Sequence, residues 1–117
     1  MASGEAWSQD PVAEVWRDGD AVVVRFRGEL DLANVERVRD VLLDAAHGDA
    51  RRLIVDLGDV TFLDSTALGA LVQTHRALGE RALVLVAPAG DPRRALDVSG
   101  LLRHLTVRES LADALGS

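Results

Sequence analysis

Strand-like and helix-like segments alternate along most of the chain, after an opening pair of strand-like segments. Residues 12–17 and 21–27 are predicted to be strands, and the Asp18-Gly19 dipeptide between them is typical of a hairpin turn. Residues 53–57, which are apolar except for Asp56, and the continuous apolar run 82–87 are typical of strands covered on both faces. Strands separated by helices usually pair in parallel within one sheet. The chain is therefore predicted to be an α/β protein whose mixed sheet includes an N-terminal antiparallel hairpin.

The other elements are predicted from helical spacing of apolar residues and from capping residues. Helices are expected at 34–46, from Ser65 or Thr66 to about Gly79, at 91–99 with Asp91 as its cap, and at 109–115. A short strand is expected at 105–107, and loops at 28–31 and 58–64. The predicted order is β-β-α-β-α-β-α-β-α, which gives about five strands and four helices.

The length of 117 residues is that of one domain. Residues 1–10 are polar and aperiodic, so they are expected to be a flexible tail, and 11–117 are expected to form the domain. The first residues lack the basic and apolar segments of a secretion signal, and no apolar run approaches the ~18 residues that span a membrane. The expected location is the cytoplasm.

The charge distribution limits both partners and chemistry. The net charge of −6 argues against nucleic acid or an anionic membrane as the partner. All 13 basic residues are arginine, so the chain has no lysine for a phosphate loop, a Schiff base or a response-regulator receiver site. The chain also has no cysteine, which excludes disulfides and thiolate metal sites.

Residues that could support catalysis are present but wrongly spaced. Ser65 and Asp64 would need a nearby histidine to form a triad, yet His75 lies ten residues along the same predicted helix, a rise of about 15 Å. His75 is instead expected to be a hydrogen-bonded core residue. His47, His75 and His104 lie on separate elements, so no metal site is predicted, and neither is a cofactor. The protein is expected not to be an enzyme.

The segment 64–71 is a candidate functional site, because two hydroxyl side chains, those of Ser65 and Thr66, lie at a predicted helix N-terminus. The ordinary interpretation is that Ser65 or Thr66 caps the helix. The outward face of this helix, however, carries small or uncharged side chains where a solvated face would carry charges. That face is predicted to be Thr66, Gly69, Ala70, Gln73 and Ala77, and the inner face Leu68, Leu71, Val72, His75 and Leu78.

A smooth face of this kind would let another protein's backbone approach closely. A helix N-terminus also favours a phosphate group, because its unpaired N–H groups and its dipole attract anions. A phosphate on Ser65 would add about −1.5 to −2 charges next to Asp64, with Asp31 and Asp59 expected nearby. Phosphorylation is therefore expected to change partner binding without unfolding the domain.

Three stretches of the chain resemble the STAS domain family, and within it the bacterial anti-sigma factor antagonists. Residues 26–31 (FRGELD) are similar to the family's strand and the loop that follows it. Residues 53–57 (LIVDL) with 62–66 (FLDST) are similar to its buried strand and its phosphorylation motif, and 68–72 (LGALV) continue into its second helix. The resemblance covers about residues 12–115.

The resemblance implies a partner and a switch. Such proteins bind an anti-sigma factor that is also a serine kinase, which frees a sigma factor. The resemblance implies that Ser65 is the phosphate acceptor, with Thr66 as the alternate. It also implies that a PP2C-type phosphatase removes the phosphate and restores the unmodified protein. The partner-binding residues are expected to be Asp31, Asp64, Ser65, Thr66, Gly69, Ala70 and Gln73.

Two other functions are also compatible with the sequence. A STAS domain can serve as a scaffold in a stress-sensing assembly or as an accessory subunit of a lipid transporter. A small nucleotide hydrolase is a third class, which the missing lysine and missing phosphate loop disfavour.

Overall fold

The computed structural model describes residues 10–100, 103 and 105–116, and its elements follow the predicted order. The strands are β1 (Val12–Asp18), β2 (Ala21–Leu30), β3 (Arg52–Leu63), β4 (Ala82–Val86) and β5 (Thr106–Arg108). The helices are α1 (Val35–Ala46), α2 (Ser65–Leu78), α3 (Asp91–Ser99) and α4 (Leu111–Leu115). The predicted α/β architecture is confirmed, with five strands and four helices in the described part of the chain.

The five strands form one mixed sheet in the order β1-β2-β3-β4-β5. β1 pairs with β2 in antiparallel orientation, and every later neighbour pairs in parallel. Gly19 has a φ of 61° in the hairpin turn, a left-handed conformation that glycine adopts without strain. The antiparallel opening hairpin is therefore confirmed.

The two faces of the sheet pack against different helices. Alternate residues of β2 point to opposite sides, as strand geometry requires. Val24 and Phe26 join the large core that includes residues of α1, α2 and α3. Val23 joins a smaller cluster with Ala114 of α4. The helix pair α1 and α2 therefore lies on one face, and the short α4 lies on the other.

The expected loops at 28–31 and 58–64 are mostly strand, so this prediction is wrong. β2 continues to Leu30 and β3 continues to Leu63, and these two residues are direct partners in the parallel ladder. The extension of the two strands was not predicted, because exposed glycine and polar residues interrupt the apolar pattern there, although Leu30 and Leu63 are buried. Irregularities in the register, one of them between Gly28 and Glu29, accommodate the extra length. As a result β2 and β3 end side by side.

Several element ends also differ from the prediction. Gly90, not Asp91, is the N-cap of α3, and no side chain caps that helix. α4 begins two residues later than expected, because the hydroxyl of Ser110 accepts a hydrogen bond from the backbone N–H of Asp113 at 3.1 Å and fixes the start of the helix. The last strand is shifted by one residue, to 106–108.

The predicted flexible tail, residues 1–10, lies outside the described residues except for Asp10. The carboxylate of Asp10 accepts a hydrogen bond from the backbone N–H of Val12 at 3.0 Å and forms an ion pair with Arg37 at 3.4 Å. Asp10, which was predicted to belong to the tail, is therefore held against the domain. His104 also lies outside the described residues.

Candidate functional site

The ends of β2 and β3 bring two acidic residues to one edge of the sheet. Asp31 follows Leu30 and Asp64 follows Leu63, and the backbone N–H of Asp64 donates to the carbonyl of Leu30 at 3.1 Å. The hydrogen bond extends the pairing of the two strands by one step. Asp31 and Asp64, two of the sequence-predicted site residues, are 33 positions apart in the sequence but, as a result, lie close together in the fold.

The side chain of Asp64 caps helix α2. Its Oδ1 atom accepts hydrogen bonds from the backbone N–H groups of Thr66 at 2.9 Å and Ala67 at 3.1 Å, and from the Thr66 hydroxyl at 2.5 Å. An aspartate is among the preferred N-cap residues because its oxygen satisfies N–H groups that lack a helical partner. The cap is thus Asp64, and the ordinary interpretation that Ser65 or Thr66 supplies it is wrong.

The second oxygen of Asp64 ties the helix to the loop after β2. Oδ2 accepts a hydrogen bond from the backbone N–H of Leu32 at 3.1 Å. Hydrogen bonds to the charged form, first of all the bond from the Thr66 hydroxyl, hold the pKa of Asp64 below its ordinary value of 3.8. The carboxylate is therefore ionised at neutral pH and links α2 to the β2–α1 loop.

Ser65 is the first residue of α2, and its side chain is exposed. Its hydroxyl has no hydrogen-bond partner among the residues that the structure describes. Thr66 differs, because it is only partly exposed and its hydroxyl is bound to Asp64. Of the two hydroxyls, the one on Ser65 is accessible and unoccupied.

The capping arrangement changes the expected environment of a phosphate on Ser65. The backbone N–H groups of Thr66 and Ala67 already donate to Asp64, so they are not free to receive a phosphate. The prediction that unpaired helix N–H groups would bind the phosphate is therefore wrong for these two groups. A phosphate would instead extend from the helix start beside the ionised Asp64.

Asp31 stabilises the loop that follows β2. Its carboxylate accepts a hydrogen bond from the backbone N–H of Ala33 at 3.0 Å, and its own N–H donates to Oδ1 of Asn34 at 3.0 Å. The Asn34 side chain in turn donates to the carbonyl of Glu29 at 2.8 Å. This loop is thus held by side-chain hydrogen bonds on both sides of Leu32.

The outward face of α2 is narrower than predicted. Gly69 and Gln73 are exposed, and Gln73 accepts a hydrogen bond from Arg39 of α1 at 2.9 Å. Ala70 is fully buried, so the prediction that it contacts a partner is wrong. The helix is rotated toward α1, with a buried stripe formed by Ala67, Ala70, Leu71, Thr74 and Leu78.

His75 was expected to be a hydrogen-bonded core residue, and this prediction is wrong. The residue is partly exposed, and its buried Nδ1 atom has no hydrogen-bond partner among the described residues. The rotation of α2 that buries Ala70 and Thr74 moves His75 to the border of the core. His75 lies on the same helix as Ser65, ten residues further along, so the two are not neighbours.

Sequence reasoning missed two exposed apolar residues beside this site. Leu32 is 73% exposed and Phe62 is 47% exposed. Both residues lie in or next to a predicted loop. The sequence pattern does not assign the side chains of a loop to the core or to the surface. The available signal in the sequence was that Leu32 directly follows Asp31 and that Phe62 lies two residues before Asp64.

The described part of the chain lacks two features that would point to other functions. Within residues 10–100, 103 and 105–116, no group of three His, Cys, Asp or Glu side chains is arranged to hold a metal ion. None of the described helices has the length and apolar character needed to cross a membrane.

Comparison with known proteins identifies the family. The model of the STAS domain matches residues 13–114. An anti-sigma-B factor antagonist of Staphylococcus aureus is 31% identical over 88 residues, which cover 74% of this chain and 82% of the relative. The crystal structure of an anti-sigma factor antagonist from Mycobacterium paratuberculosis has a TM-score of 0.80 and 27% identity, over 92% of this chain and 94% of that one.

A more distant structure shares the fold alone. The phosphorylated form of the Bacillus cell fate determinant SpoIIAA has a TM-score of 0.67 and 24% identity, over 88% of this chain and 96% of that one. The relatives named here are antagonists of regulatory proteins and not enzymes, in agreement with the prediction that this chain is not an enzyme. The chain therefore belongs to the STAS domain family and is a homologue of anti-sigma factor antagonists.

Proposed function

We propose that this protein is an anti-sigma factor antagonist that is switched by phosphorylation of Ser65. In its unmodified form it binds an anti-sigma factor with serine kinase activity, and this binding releases a sigma factor. The observation that carries the proposal is the exposed Ser65 hydroxyl, which is free at the start of α2 while Asp64 caps the helix. The names of the relatives, which are antagonists of anti-sigma factors, support the same function.

The phosphate acts as a switch because of where it is attached. The kinase transfers the γ-phosphoryl group of ATP to the Ser65 oxygen, the hydroxyl proton is lost and ADP leaves. The new group adds about −1.5 to −2 charges beside the ionised Asp64. Since Asp64 already occupies the nearby helix N–H groups, the phosphate stays at the surface and repels the partner. A PP2C-type phosphatase hydrolyses the phosphoserine and restores binding.

The proposed partners are proteins of the cytoplasm rather than nucleic acid or a membrane. The net charge of −6 disfavours both polyanionic surfaces. We place the function in one STAS domain that comprises residues 11–117. Its contact surface includes Asp31, Asp64, Ser65, Thr66, Gly69 and Gln73.

Affinity capture from the lysate of the native organism tests the proposal. The baits are the wild type, Ser65→Asp and Ser110→Asp, and bound proteins and the state of Ser65 are determined by mass spectrometry. Ser110 is an exposed N-cap of α4, where aspartate also caps well, so this variant adds the same charge at another helix start. We expect the wild type and Ser110→Asp to retain a serine kinase that Ser65→Asp loses.

A different result would overturn the proposed function. If all three baits retain transporter or large scaffold subunits equally, the protein is an accessory or scaffold STAS domain. The purified protein should also show no nucleotide turnover, and measurable turnover would instead indicate a nucleotide hydrolase.

A further inference from the structure

A hydrogen bond joins helices α1 and α2 at the surface of the molecule. The Nε atom of Arg39 in α1 donates to Oε1 of Gln73 in α2 at 2.9 Å. Gln73 is exposed and Arg39 is partly exposed. Because an arginine only donates hydrogen bonds, the Gln73 amide turns its oxygen toward Arg39, and its NH2 group has no partner among the described residues. The contact therefore fixes the direction of both side chains.

The charge of Arg39 is unpaired, in contrast to the charges of several other surface arginines. Arg17, Arg37 and Arg94 each form an ion pair with an aspartate, at 2.6, 3.4 and 2.6 Å. Arg39 forms no ion pair with a described residue, and its terminal nitrogens, Nη1 and Nη2, have no described hydrogen-bond partner. Two parallel N–H groups of a guanidinium match the two oxygens of a carboxylate. Arg39 is thus oriented to bind a carboxylate that the described part of the chain does not supply.

Gln73 lies on the same exposed side of α2 as Ser65. Ser65, Gly69 and Gln73 are all exposed and follow one another at intervals of four residues, which places them on successive turns of one side of the helix. The rise from Ser65 to Gln73 is about 12 Å. Gly69 leaves the surface between them open. A specific interface buries about 800 Å² on each partner, the area of a disc of about 16 Å radius. A protein docked around Ser65 therefore also covers Gln73 and Arg39.

We propose that Nη1 and Nη2 of Arg39 bind a carboxylate side chain of the anti-sigma factor kinase that docks on Ser65, and that Gln73 is the positioning residue that directs the guanidinium toward this partner. The inference rests on the proposed function and deepens it, because it names the chemistry of one partner contact beyond the acceptor hydroxyl. The kinase is the occupant because Arg39 and Gln73 lie within the area that a protein docked on Ser65 covers.

The sign of this contact agrees with the proposed switch. A partner that places a carboxylate on Arg39 carries negative charge on the surface that faces α2. A phosphate on Ser65 adds about −1.5 to −2 charges opposite the same surface, so it repels such a partner. Salt screens much of the direct repulsion between the phosphate and a carboxylate about 12 Å away. Arg39 therefore strengthens binding, while the phosphate controls it.

Binding to the purified serine kinase that the wild type retains measures the contribution of Arg39. Arg39→Gln and Arg39→Lys are compared with the wild type and with Arg51→Gln. Arg51 is exposed, forms no side-chain hydrogen bond or ion pair with a described residue, and precedes β3 at the end of that strand far from Asp64. We expect the Kd to rise about tenfold for Arg39→Gln and less than about twofold for Arg51→Gln. Arg39→Lys should also weaken binding, because an ammonium group cannot form the two parallel hydrogen bonds.

Gln73→Glu separates this role from a purely structural one. A glutamate at this position pairs with Arg39 within the chain, so the contact between α1 and α2 is kept while the guanidinium charge is neutralised. We expect the urea midpoint of unfolding not to fall and the Kd for the kinase to rise about tenfold. Adding Arg39→Gln to Gln73→Glu should then weaken binding by less than about a further twofold, because both changes remove the same contact. A purely structural bond between the helices would leave the Kd of Gln73→Glu unchanged.

The outcomes distinguish this inference from the proposed function. If the wild type binds no serine kinase, both are overturned. If the wild type binds the kinase and Arg39→Gln binds as tightly, the proposed function stands and the inference is wrong. Equal losses for Arg39→Gln and Arg51→Gln that vanish at high salt would show that only net charge matters, which also overturns it. If Arg39→Gln dissociates a homodimer in sedimentation experiments and leaves kinase binding unchanged, the carboxylate belongs to a second copy and the inference is likewise overturned.

Discussion

The hydroxyl oxygen of Thr66 lies 2.5 Å from Oδ1 of Asp64 and donates a hydrogen bond to it. The contact makes the Thr66 hydroxyl part of the cap of α2, since the same oxygen accepts the backbone N–H groups of Thr66 and Ala67. Ser65 contributes nothing to the cap and is exposed. The structure therefore ranks the two candidate phosphate acceptors, with Ser65 ahead of Thr66.

The first prediction concerns the acceptor. Ser65→Ala should abolish phosphate incorporation by the partner kinase, whereas Thr66→Ala should still be phosphorylated, because its acceptor hydroxyl is intact. Intact-mass spectrometry after incubation with kinase and ATP measures the result. Phosphate on the Ser65→Ala protein would identify Thr66 or another hydroxyl as the acceptor.

The second prediction concerns the stability of α2. Asp64→Ala removes the cap of the helix and should lower the free energy of unfolding by about 1–2 kcal/mol. Ser65→Ala and Ser65→Asp should change it by less than about 0.5 kcal/mol, since the Ser65 side chain makes no contact that stabilises the fold. Urea unfolding measures all three. A large loss of stability in Ser65→Asp would mean that the serine, and not Asp64, is the structural cap.

The third prediction concerns pH. Hydrogen bonds, chiefly from the Thr66 hydroxyl, depress the pKa of Asp64 in the folded state below its ordinary value of 3.8. A depressed carboxyl pKa stabilises the fold at pH values above the unfolded-state pKa, and this stabilisation is lost as the pH falls through the folded-state value.

We therefore expect the stability difference between the wild type and Asp64→Asn to be constant near neutral pH and to shrink below pH 4. Asp10 also has a lowered pKa, caused mainly by the backbone N–H of Val12, and it is present in both proteins, so the difference isolates Asp64. A difference that stays constant to pH 2 would contradict the assignment.

The order of elements was predictable from the sequence because each core strand and helix carries its own apolar pattern. Val22, Val24 and Phe26 alternate with residues of the other face, and Leu53–Leu57 is apolar except for Asp56. In the parts of β2 and β3 that were predicted to be loops, only Leu30, Val60 and Leu63 are buried, so the apolar pattern was too sparse to show that the strands continue.

The site was predictable in part. The sequence placed Asp64 and Ser65 at a helix start, but the choice of the capping residue depends on side-chain geometry that residue types do not determine. Ala70 is buried but was predicted to be on the outward face, because alanine is equally suited to a core and to a smooth surface. The bond between Asp64 and Leu32 joins segments 32 residues apart and required the fold.

The fourth prediction concerns Asp56, a buried acidic residue on β3. It is 6% exposed, accepts hydrogen bonds from Arg25 at 3.1 Å and from the backbone N–H of Gly58 at 2.9 Å, and thus has a structural role. Asp56→Ala should lower the free energy of unfolding by about 2–3 kcal/mol, because it leaves these donors unpaired. Asp59→Ala, at an exposed position of the same strand, is the matched control and should change it little. Equal stability of the two variants would contradict this role.

The fifth prediction concerns Gly69, whose substitution by alanine should stabilise helix α2 but weaken partner binding. This glycine lies inside α2 with ordinary helical φ, is exposed, and a Cβ at this position would meet no other atom within 4 Å. Gly69→Ala should therefore raise the free energy of unfolding by about 0.5–1 kcal/mol, because alanine is the better helix former. If the smooth face of α2 lets the kinase approach closely, the same methyl group should weaken kinase binding. A variant that is more stable and binds as tightly as the wild type would show that the contact surface does not include Gly69.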